Sequence, residues 1–174
     1  MDLSTTYLGL KLSNPLMPGA SPLAKTFDSV KRMEDAGAGA IVLHSLFEEQ
    51  LRGEQLGSIY QMEMYADSFQ EASSYFPTAR SFALGPDEYL AYIGQLKKSL
   101  RIPVIASLNG NTTGGWIEHA KLIEEAGADA LELNIYTVTT NPVETGQQVE
   151  DRLLEVVRNV KAATKLPLAV KLSP

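Results

Sequence analysis

The sequence predicts a parallel α/β fold, a (β/α)8 TIM barrel carried through about its first five strands and four helices. Three observations support this. An internal echo sets Asp35-Ala-Gly-Ala-Gly-Ala-Ile-Val-Leu-His44 against Glu125-Ala-Gly-Ala-Asp-Ala-Leu-Glu-Leu-Asn134, and each copy reads as a helix end running into a strand. Apolar runs alternate strictly with helical stripes, so each crossover returns the chain in the same direction and the sheet is parallel. Five strands in 174 residues is also the pace of a barrel whose complete form takes about 250 residues, which favours it over a doubly wound sheet.

The elements follow in order. Thr5 to Leu12, with Gly9 and Lys11 in an alternating stretch, reads as a small hairpin before the first barrel strand, Leu16 to Ala20. Phe27, Val30 and Met33 at helical spacing lead to Gly37, which suits the left-handed residue just past a helix. The second strand is Ala40 to Ser45, and residues 48–85, rich in Glu, Gln, Met, Ser and Tyr, form a long insertion after it. Pro86 with Asp87 and Glu88 opens a helix whose stripe is Tyr89, Leu90, Ile93, Leu96 and Leu100. The third strand, Val104 to Leu108, runs into a glycine-containing stretch, Asn109 to Gly115. Ile117, Ala120 and Ile123 mark the next helix, and Gly127 repeats the role of Gly37. The fourth strand, Ala130 to Ile135, is followed by a helix carrying Val149, Leu153, Val156, Val157, Val160 and Ala163, and then by the fifth strand, Leu168 to Leu172. Residues 1–174 form one domain in this reading. Because its last strand would lie at an open edge, a position natural sheets protect, the domain is expected to be incomplete at its C-terminal end.

Composition narrows the function. The chain is 44% apolar and 21% charged with a net charge of −6, an ordinary globular balance. It lacks the clustered Lys and Arg that nucleic acid or an anionic membrane would need, so a small molecule is the expected partner. Zero cysteines exclude disulfides, thiolate catalysis and Cys-ligated metal. Two isolated histidines without H-E-x-x-H or D-x-D-x-D-G spacing predict no metal site. No G-x-S-x-G elbow, P-loop or G-x-G-x-x-G is present. No segment approaches the roughly 20 apolar residues of a membrane span, and without a basic-then-apolar leader pattern the expected location is the cytoplasm.

The functional signal is the parity of polar residues. In the fourth strand Glu132 and Asn134 share a face opposite Leu131, Leu133 and Ile135; in the fifth, Ala169, Lys171 and Ser173 oppose Leu168, Val170 and Leu172. The apolar set suits outer helices and the polar set the barrel interior. His44, Ser107 and Asn109 fall in the same C-terminal third of their strands, where barrel enzymes build their sites. Ser107 and Asn109 read equally well as local hydrogen-bonding groups, and His44 as a core histidine. Lys171 is different: an inward ammonium is costly unless a carboxylate such as Glu132, or an anionic ligand, satisfies it.

Four segments together give a resemblance: Asn14-Pro-Leu-Met-Pro-Gly-Ala-Ser21, Gly114-Gly-Trp-Ile-Glu-His119, Ala126-Gly-Ala-Asp-Ala-Leu-Glu-Leu-Asn-Ile-Tyr136 and Val170-Lys-Leu-Ser-Pro174. The chain resembles the flavin-dependent dihydroorotate dehydrogenases, and the similarity runs from end to end. The resemblance implies an FMN-linked oxidoreductase barrel acting on a CH–CH bond, with FMN across its C-terminal mouth and a small, pyrimidine-like substrate. It implies that Ala20 and Ser21 touch the flavin through backbone, that Asn134 hydrogen-bonds it, and that Lys171 sits near its pyrimidine edge. Ser45 and Ser107 match polar strand-end positions, and His44 and Asn109 would face substrate. Two matches depart from the family pattern: His44 stands where the dehydrogenases carry a lysine, and Thr137 where they carry a Cys or Ser base. Thr139 likewise replaces an asparagine of the substrate clamp, so the expected substrate is not dihydroorotate. Thr137 and Lys171 remain the catalytic candidates. FMN phosphate loops normally follow strands seven and eight, so this chain alone is expected to hold FMN poorly. Two other readings stand beside this one: a Schiff-base lysine at Lys171, as in barrel aldolases, and a non-catalytic half-barrel that folds as an open sheet or pairs with another copy as a homo-oligomer.

Overall fold

The computed structural model describes residues 1–47, 86–110, 113–136 and 140–172. The expected insertion at 48–85, Thr137, Thr139 and Ser173 lie outside the described residues. A hairpin, β1 (Thr5–Tyr7) and β2 (Leu10–Leu12), precedes a short 3-10 turn at Pro22–Lys25 and helix α1 (Phe27–Asp35). Then follow β3 (Ile41–Phe47), α2 (Pro86–Ser99), β4 (Val104–Asn109), α3 (Thr113–Glu125), β5 (Ala130–Ile135), α4 (Gly146–Ala163) and β6 (Leu168–Leu172). Strands β3 to β6 pair in sequence order as one parallel sheet. The α/β class, the hairpin and the four expected helices are therefore present.

One expected strand is not regular. Leu16 to Ala20 runs beside β3, where the Gly39 N–H donates to the Leu16 carbonyl at 2.8 Å and the Val42 N–H to that of Pro18 at 3.3 Å, but no strand forms there. Pro15 and Pro18 have no N–H, so the segment cannot complete a ladder.

The hairpin turns at Leu8 and Gly9, both with positive φ (53° and 77°), as a two-residue loop of this twist requires. The glycines of the echo take the expected left-handed conformation, φ 96° at Gly37 and 91° at Gly127. Each closes its helix in the same way: Gly37 N–H donates to Glu34 O and Ala38 N–H to Met33 O, while Gly127 N–H donates to Glu124 O and Ala128 N–H to Ile123 O. The likeness extends further than the echo. Glu34 accepts the Arg101 N–H at 2.6 Å and Glu124 accepts that of Lys165 at 3.0 Å, so each helix-end carboxylate holds the loop entering the strand beyond. Pro103 O accepts from Ile41 N–H and Pro167 O from Leu131 N–H, again at matching places.

One difference between the two copies, Gly39 against Asp129, changes what each joint holds. Asp129 grips Lys97 Nζ at 2.6 and 2.7 Å and accepts the Val104 N–H at 2.7 Å, tying α2 to the start of β4. Its counterpart is Gly39, where a Cβ would stand 2.2 Å from the backbone oxygen of Asn14. That approach is fixed by the Asn14 side chain, which donates to Gly37 O and accepts from Leu16 N–H, both at 2.9 Å.

The sheet has two unlike faces. Toward the helices lies the main core, including Ile41, Leu43, Val104, Ala106, Leu108, Leu131 and Leu133. The opposite face starts apolar, with Val42, Ile105 and Ala130 covered by Leu12, Leu8, Leu10, Met17 and Ala20, and turns polar further along the strands.

A bulge in β3 sets what that polar end contains. Val42 pairs with Ile105 and Ser45 with Ser107, so Leu43 and His44 together oppose Ala106. Unbroken alternation would put His44 on the polar face beside Val42. The extra residue moves it to the other side, where its ring meets Tyr89 edge-on at 5.2 Å, and Ser45 takes the polar-face place. The Tyr89 hydroxyl accepts the Ser107 N–H at 3.1 Å and donates to the Ser107 carbonyl at 3.3 Å, filling ladder positions beside the bulge. Burial pushes the His44 pKa below its ordinary value and the nearby Lys25 charge adds to this, against a backbone bond at Ala24. His44 Nδ1 is buried without a hydrogen-bond partner among the described residues.

Three outcomes follow. Gly39→Ala forces a methyl onto the Asn14 backbone and costs at least about 2 kcal/mol in urea unfolding, whereas Gly94→Ala, with open space around it inside α2, is neutral or stabilising. Gly110→Ala brings a Cβ to 2.9 Å from two atoms of the Trp116 indole; as the sole tryptophan, Trp116 reports this as a shifted emission maximum, and an unchanged spectrum would refute the contact. Because His44 titrates lower folded than unfolded, it withholds its proton in the native state. Stability from this group is full above about pH 6.5 and is lost as pH falls through the folded value. The stability difference between wild type and His44→Gln therefore shrinks on going from pH 7.5 to 5.5; a constant difference would exclude the effect.

Candidate functional site

At the C-terminal end of the sheet, polar side chains from four strands meet on one face. Register explains the meeting: Ser45 pairs with Ser107, Ser107 with Glu132, and Asn134 with Lys171. Same-face neighbours in paired strands stand close enough to bond directly. Ser45 Oγ lies 2.8 Å from Ser107 Oγ. Ser107 Oγ donates to Glu132 Oε1 at 3.2 Å, and Lys171 Nζ donates to the same oxygen at 3.0 Å. Asn134 Nδ2 donates to Ser45 Oγ at 3.4 Å. The lysine thus has the carboxylate partner that its strand parity pointed to.

Exposure is graded across the cluster. Ser107 is fully buried, the Glu132 side chain is 16% exposed and that of Lys171 is 45% exposed. The ammonium therefore stands at the accessible rim while its anchor lies below. Asn109 ends β4 opposite Phe47, one alternation beyond Ser107 on the same face, and is half-buried. Ala20 packs on the apolar layer beneath the cluster. Ser21 begins the turn at Pro22–Lys25 in extended conformation (φ −155°, ψ 165°) and makes no side-chain cap.

Of the residues expected at a site, Ser45, Ser107, Asn134 and Lys171 are brought together. His44 is not: the bulge turns it toward Tyr89, which is the correction to its expected place among the inward polar tips. Thr137 lies outside the described residues. Tyr89 went unrecognised as a support of the site because it sits in an otherwise apolar helix stripe. Its signal was a hydroxyl at a fully buried position, which must find a partner. Burial raises its pKa far above the ordinary tyrosine value, so the hydroxyl is a fixed donor and acceptor. Among the described residues no group of three or more His, Cys, Asp or Glu is placed to hold a metal ion, and no helix is long and apolar enough to cross a membrane.

Comparison with known proteins gives the family. The family model described as dihydroorotate dehydrogenase matches residues 2–174. The NAD-dependent dihydropyrimidine dehydrogenase subunit PreA of Escherichia coli K12 is 28% identical over 183 residues, covering 99% of this chain and 42% of that protein. The catalytic subunit of dihydroorotate dehydrogenase B (NAD(+)) from Methanocella arvoryzae is 30% identical over 176 residues, covering 100% of this chain and 54% of that one. The chain spans about half the length of the curated relatives it matches. Among solved structures, a putative dihydrodipicolinate synthetase from Pseudomonas aeruginosa superposes with a TM-score of 0.51 at 18% identity, over 89% of this chain and 44% of that one; this is a likeness of fold alone. With its family model matched from residue 2 to residue 174, the chain belongs to the dihydroorotate dehydrogenase family.

Proposed function

We propose that this chain contributes the cofactor face of an FMN-dependent oxidoreductase, built on a (β/α)8 barrel, that moves hydride between flavin and a small, pyrimidine-like substrate. The observation that carries the reading is the Lys171 ammonium at the rim of the sheet, anchored by Glu132 and flanked by Asn134 in register. FMN supplies the hydride-accepting ring, and its pyrimidine edge gathers negative charge on reduction. A fixed ammonium beside that edge stabilises the charge as it forms. Asn134 adds an amide able to donate and accept, and Ala20 lies in the apolar layer below, suited to a flat ring. This donor set fits the cofactor's edge. Ser45 and Ser107 support Asn134 and Glu132 rather than reaching outward, and Ser21, Asn109 and Thr137 keep the cofactor, substrate and proton-transfer roles that the resemblance implies, whereas His44, turned toward Tyr89, does not. A cytoplasmic setting and a possible homo-oligomer belong to the same proposal.

The Schiff-base alternative is disfavoured by the setting of Lys171. Such lysines are activated by desolvation or by a second cation; Lys171 is 45% exposed and faces a carboxylate.

Titration of the purified chain with FMN, followed by flavin fluorescence, tests the reading. Binding is expected to saturate yet be lost on gel filtration, and Lys171→Met should weaken it about tenfold or more, the value of one charge-assisted hydrogen bond of about 1.5–3 kcal/mol. Absence of saturable binding by the wild type, or wild-type affinity retained in both Lys171→Met and Asn134→Ala, would overturn it.

A further inference from the structure

The bonds at the strand tips have a direction. A serine hydroxyl carries one proton, and that of Ser107 is spent on Glu132 Oε1. In the 2.8 Å contact between the serines, Ser45 must therefore be the donor. Its own proton being spent, Ser45 can only accept from Asn134, and the 3.4 Å contact from Asn134 Nδ2 meets it in that sense. The chain runs one way, from Asn134 through Ser45 and Ser107 to a carboxylate that has no proton to return. The same oxygen, Oε1, also holds Lys171 Nζ. A single atom thus fixes which end of the Asn134 amide faces Ser45 and where the ammonium stands.

We propose that Glu132 is the positioning residue of this site: through Oε1 it orients both Asn134 and Lys171, the two groups assigned to the flavin edge. The inference rests on the flavin reading for what those groups touch, and on the hydrogen bonds alone for the orienting itself. Glu132 is well placed for the role. It is covered while Lys171 is at the rim, it lies between the paired residues Ser107 and Ala169, and its partner Ser107 is pinned through its backbone by Tyr89. A carboxylate serving only as a counter-ion would need the lysine and not the serine chain.

The test has two arms. Without flavin, the chain is acylated with limiting acetic anhydride and modification is read residue by residue by mass spectrometry, with Lys97, paired to Asp129, as internal reference. Glu132→Gln should change the Lys171-to-Lys97 ratio at least threefold, and Ser107→Ala should change it less. An unchanged ratio in Glu132→Gln would mean that Glu132 does not hold Lys171, and would overturn the proposal. With FMN, wild type, Glu132→Ala, Lys171→Met and the double variant form a cycle. A positioning role predicts that Glu132→Ala weakens FMN severalfold in the wild-type background and less than twofold once Lys171 is gone. Equal effects in both backgrounds would reveal a merely structural residue. Failure of the wild type to bind FMN would sink the flavin reading alone, leaving the acylation ratio to decide whether Glu132 orients Lys171.

Discussion

The site depends on keeping one side-chain parity across parallel strands. A strand alternates its faces with a period of two, so a slip of a single residue would send every polar tip into the helix-facing core. Here Ser107, Glu132, Asn134 and Lys171 hold that parity through the plain pairing of β4, β5 and β6. Strand β3 holds it only through its bulge, which brings Ser45 into line and turns His44 away. The irregularity is supported by the Tyr89 hydroxyl on the Ser107 backbone, so a residue of the outer helix layer helps determine what the inner face presents.

Beneath that face the chain is held by a repeated joint. Two helices end in the same glycine turn and lend a glutamate to the loop ahead, Glu34 to Arg101 and Glu124 to Lys165. Each glutamate gives a loop N–H an acceptor and so fixes the approach to the next strand. Where the copies differ, local crowding decides: Gly39 admits the backbone of Asn14, whereas Asp129, free of such a neighbour, recruits Lys97.

Much of this was legible in the sequence. Periodicity revealed the four helices, because each buries one stripe, and the paired Ala-Gly-Ala motifs revealed the joints, because a left-handed residue all but requires glycine there. Parity revealed Lys171 and Glu132 as same-face neighbours of opposite charge, although the ammonium proves to stand at the exposed rim rather than inside. Three things were not legible. The expected strand from Leu16 to Ala20 does not form because prolines remove ladder donors, a cost that apolar pattern alone does not register. The bulge is a property of β3 and β4 together, so nothing local to Val42 to Ser45 announces it. The serine chain depends on which hydroxyl gives its proton to Glu132, which appears only when the strands are side by side.

The carboxylate grips of Glu34, Glu124 and Asp129 all lie at the end of the sheet where strands begin, while the polar tips lie where strands finish. The contacts that tie the joints and the polar side chains of the candidate site thereby occupy opposite ends of the sheet. Side chains at the tips can therefore be exchanged while the contacts that let the chain fold are left intact.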